Sequence, residues 1–262
     1  MNLVAVIAFL GFVGVASAAP QSDQRRPEDP IPIDTVTTCG GYIDTTSVSI
    51  EFQLGGSISA DTRCVWVIWG RDQFHRFNLV SSGLQETDGI FLAGYSGNGF
   101  GEQHRLTTIG QNVSLSFRMA LLTLHVGHEP TQGFKVEFYS SSGPNYEPLT
   151  GHALLTEAKG NYSYPVNGSE YGNSENALFV IAPTVPGQPT LRFSRVDVEN
   201  EDTGCMYDSV RIFSWFDSDY LEVARFCGNT IPPSVTFQDG LGLITFVTDT
   251  TITGTGFDFE YE

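Results

Sequence analysis

The sequence predicts an all-β chain of two consecutive antiparallel β-sandwiches. Apolar and polar residues alternate at the two-residue period of strands, the chain repeats itself once, and no useful stretch of helical period follows the N-terminal apolar run. The alternation is plainest at three places. Phe134, Val136 and Phe138 are separated by Lys135 and Glu137; Phe257, Phe259 and Tyr261 by Asp258 and Glu260; Val113, Leu115 and Phe117 by serines. A period of two puts one set of side chains on one face of a sheet and the other set on the opposite face. Short runs of this kind, divided by Gly, Pro, Asn and Asp, fit packed antiparallel sheets.

From the N-terminus, Leu3–Val15 is one apolar run followed by Ala16-Ser17-Ala18. It is too short to span a bilayer comfortably and no stop-transfer pattern follows. Residues 1–18 are therefore expected to be a signal peptide, cut after Ala18 or Ala19, and the mature chain to be secreted. No later apolar stretch is long enough to suggest a membrane span. Residues 19–38, rich in Pro, Asp and Gln, are expected to form a flexible leader. The first domain is expected over 39–140, a linker over 141–149 and the second domain over 150–262.

The two blocks match in order. Cys64-Val-Trp-Val-Ile68 corresponds to Ala177-Leu-Phe-Val-Ile181, and Arg76-Phe-Asn-Leu-Val80 to Arg192-Phe-Ser-Arg-Val196. Thr87-Asp-Gly-Ile-Phe91 corresponds to Tyr207-Asp-Ser-Val-Arg-Ile-Phe213, and Val113-Ser-Leu-Ser-Phe117 to Leu243-Ile-Thr-Phe-Val247. Gly133–Tyr139 and Gly256–Tyr261 close the blocks. Matches in one register point to an internal duplication.

Composition excludes other classes. With 30 acidic against 13 basic residues and a net charge of −17, the chain has no broad basic face for nucleic acid. At 40% hydrophobic residues it can bury a core, unlike a disordered chain. Four cysteines in an oxidising compartment favour two disulfides. Of the three possible connectivities, Cys39–Cys64 with Cys205–Cys227 is expected, because each bridge closes a loop within one half of the chain. Each would contribute about 3 kcal/mol on loop-entropy grounds. Three sequons, at Asn112, Asn161 and Asn167, are candidate glycan sites. Asn161 and Asn167 are expected in an accessible loop, whereas Asn112 opens a strand-like run.

Both blocks resemble CUB domains, extracellular jelly-roll-like β-sandwich modules. In the first block the resemblance rests on Cys39-Gly-Gly41, the Cys64-x-Trp66 strand and the closing Gly-Phe strand. In the second it rests on Tyr164-Pro165, Ile181-Ala-Pro183, Cys205-x-Tyr-Asp208, Cys227-Gly228, and Asp249 followed by Gly256-Phe257. CUB domains commonly carry two disulfides. Here the first block keeps one pair and the second block the other, with Ala177 and Phe179 at the places of Cys64 and Trp66.

The resemblance implies a calcium site in the second block, held by Glu199, Asp208 and Asp249, with a backbone carbonyl at Thr251 and support from Tyr164. Oxygen donors suit calcium, and carboxylates from separated loops repel one another without a cation. In the first block only Asp88 aligns with a ligand. The Glu199 position falls near Gly83 and the Asp249 position near Ala120, so no calcium is expected there; Glu86 is the one nearby acid. The resemblance further implies that the calcium-site loops dock a basic side chain, Lys or Arg, of an extracellular protein.

The expected function is thus a secreted, non-enzymatic protein-interaction protein. Two other readings stand beside it: a non-catalytic relative or accessory of a secreted CUB-containing protease, and a carbohydrate- or small-ligand-binding sandwich. No nucleophile–base pair stands out. Gly94-Tyr-Ser96-Gly97 lacks the spacing of a nucleophile turn, and His125-Val-Gly-His128 lacks a third metal ligand and reads as a solvated loop. Trp215, Phe216 and Tyr220 lie in a turn-like segment and read as a contact patch or a folded hairpin tip.

Overall fold

Residues 33–69, 74–97, 99–101, 103–117, 119–141, 149–200 and 204–262 are described by a computed structural model. The signal peptide, the leader up to residue 32 and linker residues 142–148 lie outside the described residues. Among the described residues there are nineteen strands and no helix, hence none long and apolar enough to cross a membrane.

The first block supplies β1 (Asp34–Val36), β2 (Gly41–Ile43), β3 (Ser47–Ile58), β4 (Arg63–Trp69), β5 (Phe74–Ser82), β6 (Gly89–Tyr95), β7 (His104–Leu106), β8 (Asn112–Ser116), β9 (Met119–His125) and β10 (Thr131–Ser140). The second supplies β11 (Gly151–Leu155), β12 (Gly160–Tyr164), β13 (Asn176–Ile181), β14 (Thr190–Asp197), β15 (Ser209–Phe216), β16 (Asp219–Phe226), β17 (Val235–Thr236), β18 (Gly242–Val247) and β19 (Gly256–Tyr261). They form four sheets: A, β1-β3-β10-β5-β8; B, β2-β4-β9-β6-β7; C, β11-β13-β18-β15-β16; and D, β12-β19-β14-β17.

The sheets are mostly antiparallel, but β1–β3, β2–β4 and β11–β13 pair in parallel, which departs from the purely antiparallel expectation. The chain steps from one sheet to the other and back between these strands, so it returns in its starting direction. β1 also places part of the expected leader, Asp34–Val36, in sheet A.

Sheets B and C correspond strand for strand, and so do A and D apart from β1. That correspondence corrects one match drawn from the sequence. The counterpart of β18 is β9, the central strand of sheet B, and not the Val113–Phe117 run, which forms β8 at the edge of sheet A. Both runs are apolar at alternate positions, and sequence spacing did not separate them.

Three apolar cores hold the sheets together. One lies between A and B around Trp66, Phe77, Phe134 and Phe138, and one between C and D around Phe179, Phe246, Phe257 and Phe259. The third joins B to C. Val65, Val67, Trp69, Phe91 and Leu121 of the first sandwich pack against Leu178, Val180, Phe213, Trp215 and Leu243 of the second. The protein is therefore a four-layer stack. β4, β6, β9, β13, β15 and β18 are buried along nearly their whole length because both of their faces are covered. Leu149, the last residue of the expected linker, enters the same middle core.

Trp215 and Tyr220 belong to this middle core, which overturns their reading as a contact patch; Phe216, at the hairpin tip, is 53% exposed. The Trp215 ring meets Phe91 at 5.2 Å between centroids. The Tyr220 hydroxyl lies 2.7 Å from Thr123 Oγ1, so the buried polar pair is satisfied across the junction.

The sandwiches are stacked antiparallel, each end of one beside the opposite end of the other. The start of β4 meets the start of β18, where Arg63 Nε donates to Asp239 O at 3.4 Å. Asn176, which begins β13, shares a hollow with Trp69 and Tyr95, which end β4 and β6. Counting from Asp88 and Asp208, Phe91 is the counterpart of Arg211 and Tyr95 of Trp215. Phe91 touches Trp215, and the Arg211 charge acts on Tyr95. This reciprocal placement is that of an isologous dimer, here within one chain.

His125 sits at the rim of the middle core, its ring 6.5 Å from that of Trp215, and so is not part of a solvated loop. His128 is the solvated one, 2.8 Å from Asp61. Burial, then the Arg63 charge, lowers the His125 pKa from 6.5 to about 4, against the opposing pull of Asp239, Asp88 and Asp61.

Two outcomes follow. Leu121→Asp puts a charge into the middle core and leaves the other two intact. It should split a single urea transition, followed by tryptophan fluorescence and far-UV circular dichroism, into two. His125 is neutral when folded and takes up a proton more readily when unfolded. Its share of stability is complete above about pH 6.5 and lost as pH falls towards about 4. His125→Phe should flatten that part of the urea-midpoint profile.

Candidate functional site

The candidate site lies at the loop end of the second sandwich where β14, β15 and β18 meet the loops. Glu199 follows β14, Asp208 immediately precedes β15 and Asp249 follows β18. Each offers a carboxylate oxygen, and these oxygens lie within 4.8 Å of one another. Asp208 is buried and the other two are half-buried. The residues predicted from the sequence as ligands are thus brought together.

Asp208 is the centre of the arrangement. Its Oδ1 accepts the Asp249 amide at 2.9 Å, and its Oδ2 accepts the Tyr171 hydroxyl at 2.7 Å. The Tyr171 oxygen in turn accepts the Glu199 amide at 2.8 Å. One tyrosine therefore fixes two of the three acids. Asp249 Oδ1 accepts the Thr251 amide at 2.7 Å, closing a tight turn.

Tyr164, expected to support the site, does something else. Its hydroxyl donates to Glu175 Oε2, and its ring packs in the core against Phe179, Phe246 and Phe257. Tyr171 takes the supporting place. The sequence reading missed it because it sits in a Gly-, Ser- and Asn-rich loop outside any periodic run. Its edge-on contact with Phe246, at 5.0 Å, anchors it.

Burial pushes the Asp208 carboxyl up, and the Asp249 and Glu175 charges add to this; the Tyr171 hydroxyl and the Asp249 amide oppose them without cancelling the rise. Asp88, at the same place in the first sandwich, goes the other way. Burial pushes it up too, but the Gly127 and Gln85 amides, each at 2.9 Å, outweigh burial with help from the Thr131 and Thr87 hydroxyls, and its pKa is lowered.

The counterpart of Asp249 is therefore Gly127, whose amide binds Asp88 as the Asp249 amide binds Asp208. This replaces the assignment to Ala120, which lies near the other end of β9. Glu86 contributes its carbonyl, not its carboxylate. Arg105 Nη2 on β7 donates to Glu86 O at 2.7 Å and to Asp88 O at 2.5 Å. The second sandwich ties the matching loop to the strand end with the Cys205–Cys227 disulfide. The other bridge, Cys39–Cys64, spans the start of sheet B.

The donor set fits a hard divalent cation. It is all oxygen, comes from three separate loops and holds like charges close together around a buried carboxyl that resists ionisation. Calcium suits such a set better than a metal that prefers nitrogen or sulfur.

The three sequon asparagines are all exposed. Asn167 lies in a loop as expected, whereas Asn161 is in β12, and Asn112 in β8 is as open as the other two.

Residues 150–261, which make up the second sandwich, match the family model described as CUB domain. The chain is 25% identical over 244 residues to cubilin from Canis lupus familiaris, covering 86% of this chain and 7% of that protein. It is 26% identical over 262 residues to procollagen C-endopeptidase enhancer 2 from Homo sapiens, covering 94% of this chain and 61% of that protein. The chain thus spans less than two thirds of either relative. Among solved structures, the CUB1-EGF-CUB2 domains of rat MASP-1 align over 85% of this chain and 99% of that one, at 16% identity and a TM-score of 0.38. A MASP-1 CUB2 domain bound to Ca2+ aligns over 44% of this chain and 99% of that one, at 23% identity and a TM-score of 0.38.

Tyr171→Phe leaves the buried Asp208 Oδ2 without its donor and the Glu199 amide without its acceptor. It should lower unfolding stability by about 1–3 kcal/mol in urea titrations without calcium.

Proposed function

We propose that the chain is a secreted, non-enzymatic interaction protein whose second sandwich holds calcium and docks a basic side chain of an extracellular protein. The convergence of Glu199, Asp208 and Asp249 on one point, around a carboxyl that burial and like charge push up, carries the reading. Thr251 stands as a further ligand through its carbonyl. A bound cation would relieve the repulsion among the acids and tie three loops together. Carboxylate lone pairs not spent on it would accept hydrogen bonds from a Lys or Arg of the partner. The net charge of −17 favours fast encounter with basic partners, more so at low salt.

The second reading, an accessory of a secreted protease, draws on the enhancer relatives, whose name describes a protein that enhances an endopeptidase. It shares the same site and differs in the partner.

Thermal unfolding in calcium and in EDTA tests the metal. At a hundred times its dissociation constant calcium should stabilise the protein by about 2.7 kcal/mol. Asp249→Ala should abolish that gain. An unchanged midpoint at about millimolar calcium would remove the metal from the reading. Docking is tested by capturing a lysine- and arginine-bearing peptide library with calcium present; retention that persists in EDTA would refute docking through this site.

A further inference from the structure

A strand at the edge of a sheet presents unpaired N–H and C=O groups that another chain can pair with. Among the described residues the four sheets have eight edges, and four of these are short: β1, β2 and β7 have three residues each and β17 has two. The long edge strand β16 carries a bulge against β15 and the Arg225–Glu222 ion pair at 2.9 Å. β11 lies against the first sandwich, where His152 stacks on Tyr42 with centroids 4.0 Å apart.

The two remaining edges belong to the outer sheets, β8 in A and β12 in D. Each has five residues, Asn-Val-Ser-Leu-Ser and Gly-Asn-Tyr-Ser-Tyr. Neither contains a charge or a proline, and each pairs in unbroken register with its inner neighbour. Each nevertheless holds a sequon within the strand, Asn112-Val-Ser114 and Asn161-Tyr-Ser163, with the asparagine exposed. Among the described residues, charge, proline and a bulge, three ordinary means of blunting an edge, are missing from the two edge strands that carry a glycan acceptor.

We propose that N-linked glycans on Asn112 and Asn161 guard the outer-sheet edges β8 and β12 against strand addition from a second copy of this chain. The inference rests on the secreted reading, since the donor is a lipid-diphosphate-linked oligosaccharide of the secretory pathway. The asparagine Nδ2 bonds to the anomeric carbon of the sugar, the anomeric C–O bond breaks with the lipid diphosphate leaving, and one amide proton passes to the transferase. The folded strand leaves room for the product at Asn112. Its Oδ1 accepts Arg76 Nε at 3.1 Å, and Nδ2 donates to Gly110 O at 2.9 Å through one of its two hydrogens. A bulky, hydrated glycan beside the free backbone row leaves no room for a partner strand.

The full chain, expressed in a secreting animal cell line, provides the test. Peptide mapping by mass spectrometry should find glycan on both asparagines. Asn112→Gln with Asn161→Gln should raise the weight-average mass by light scattering to about twice the monomer's or more. Asn112→Lys with Asn161→Lys also lacks both glycans but places a charge on each edge, and should stay monomeric. Ser114→Ala removes the first glycan while keeping the asparagine's hydrogen bonds, so association in it separates edge exposure from misfolding. A secreted chain with either site bare, or a monomeric Gln variant with an unchanged unfolding midpoint, overturns the proposal. A chain retained in the cytosol without glycan overturns the secreted reading as well.

Discussion

The apolar contact between sheets B and C is the constraint on which the rest of the structure depends. An isolated sandwich exposes the outer faces of both its sheets, and these are ordinarily polar. Here the outer faces of two sheets carry Val67, Trp69, Leu121, Val180, Trp215 and Leu243, which only another apolar surface can cover. Fully burying one such side chain is worth about 1.5–3 kcal/mol, so a face made of many of them commits the two halves to each other. Thr123 and Tyr220 bring polar groups into this contact as a mutually bonded pair, and Arg63 lies at its rim.

Within this shared frame the two loop ends solve one problem differently. Each places a buried aspartate just before an inner strand. Around Asp88 the neighbours are amides and hydroxyls, and an arginine on the next strand fastens the loop carbonyls. Around Asp208 the neighbours include other acids, and a disulfide fastens the loop. The first carboxylate is content as an anion, while the second is left short of positive charge. Tyr171 reduces that shortfall and cannot remove it, because a hydroxyl donates one proton and the repulsion comes from full charges.

The all-β class was legible because alternation survives wherever one face of a sheet meets solvent, as in β8, β10 and β19. The middle core was also written in the sequence, in a form easily read as something else. Val65–Trp69 and Leu178–Ile181 are unbroken apolar runs, the mark of strands covered on both sides, but each fits a simple core strand equally well. What covers the second face is a tertiary fact that no local pattern encodes. The same limit applies at the site. Glu199, Asp208 and Asp249 were found through the family resemblance, which carries register across distant loops. Tyr171 was missed because its role depends on a ring packed on Phe246 far along the chain. Phe117 and Val113 shared a pattern with β18, and only the pairing partners revealed that β9 is its true counterpart.

The antiparallel stacking has a geometric consequence at the acidic end. Because the sandwiches run in opposite directions, the loops that bear Asp208 and Asp249 are not flanked by their counterparts from the first sandwich. Beside Asn176, next to Glu175, stand Trp69, Tyr95 and the Ser96–Gly97 turn. That end of the molecule is a composite surface, assembled from unlike parts of two similar halves. Substitutions around Ser96 therefore reshape the surface beside Asn176 while leaving the carboxylates and the fold that holds them untouched.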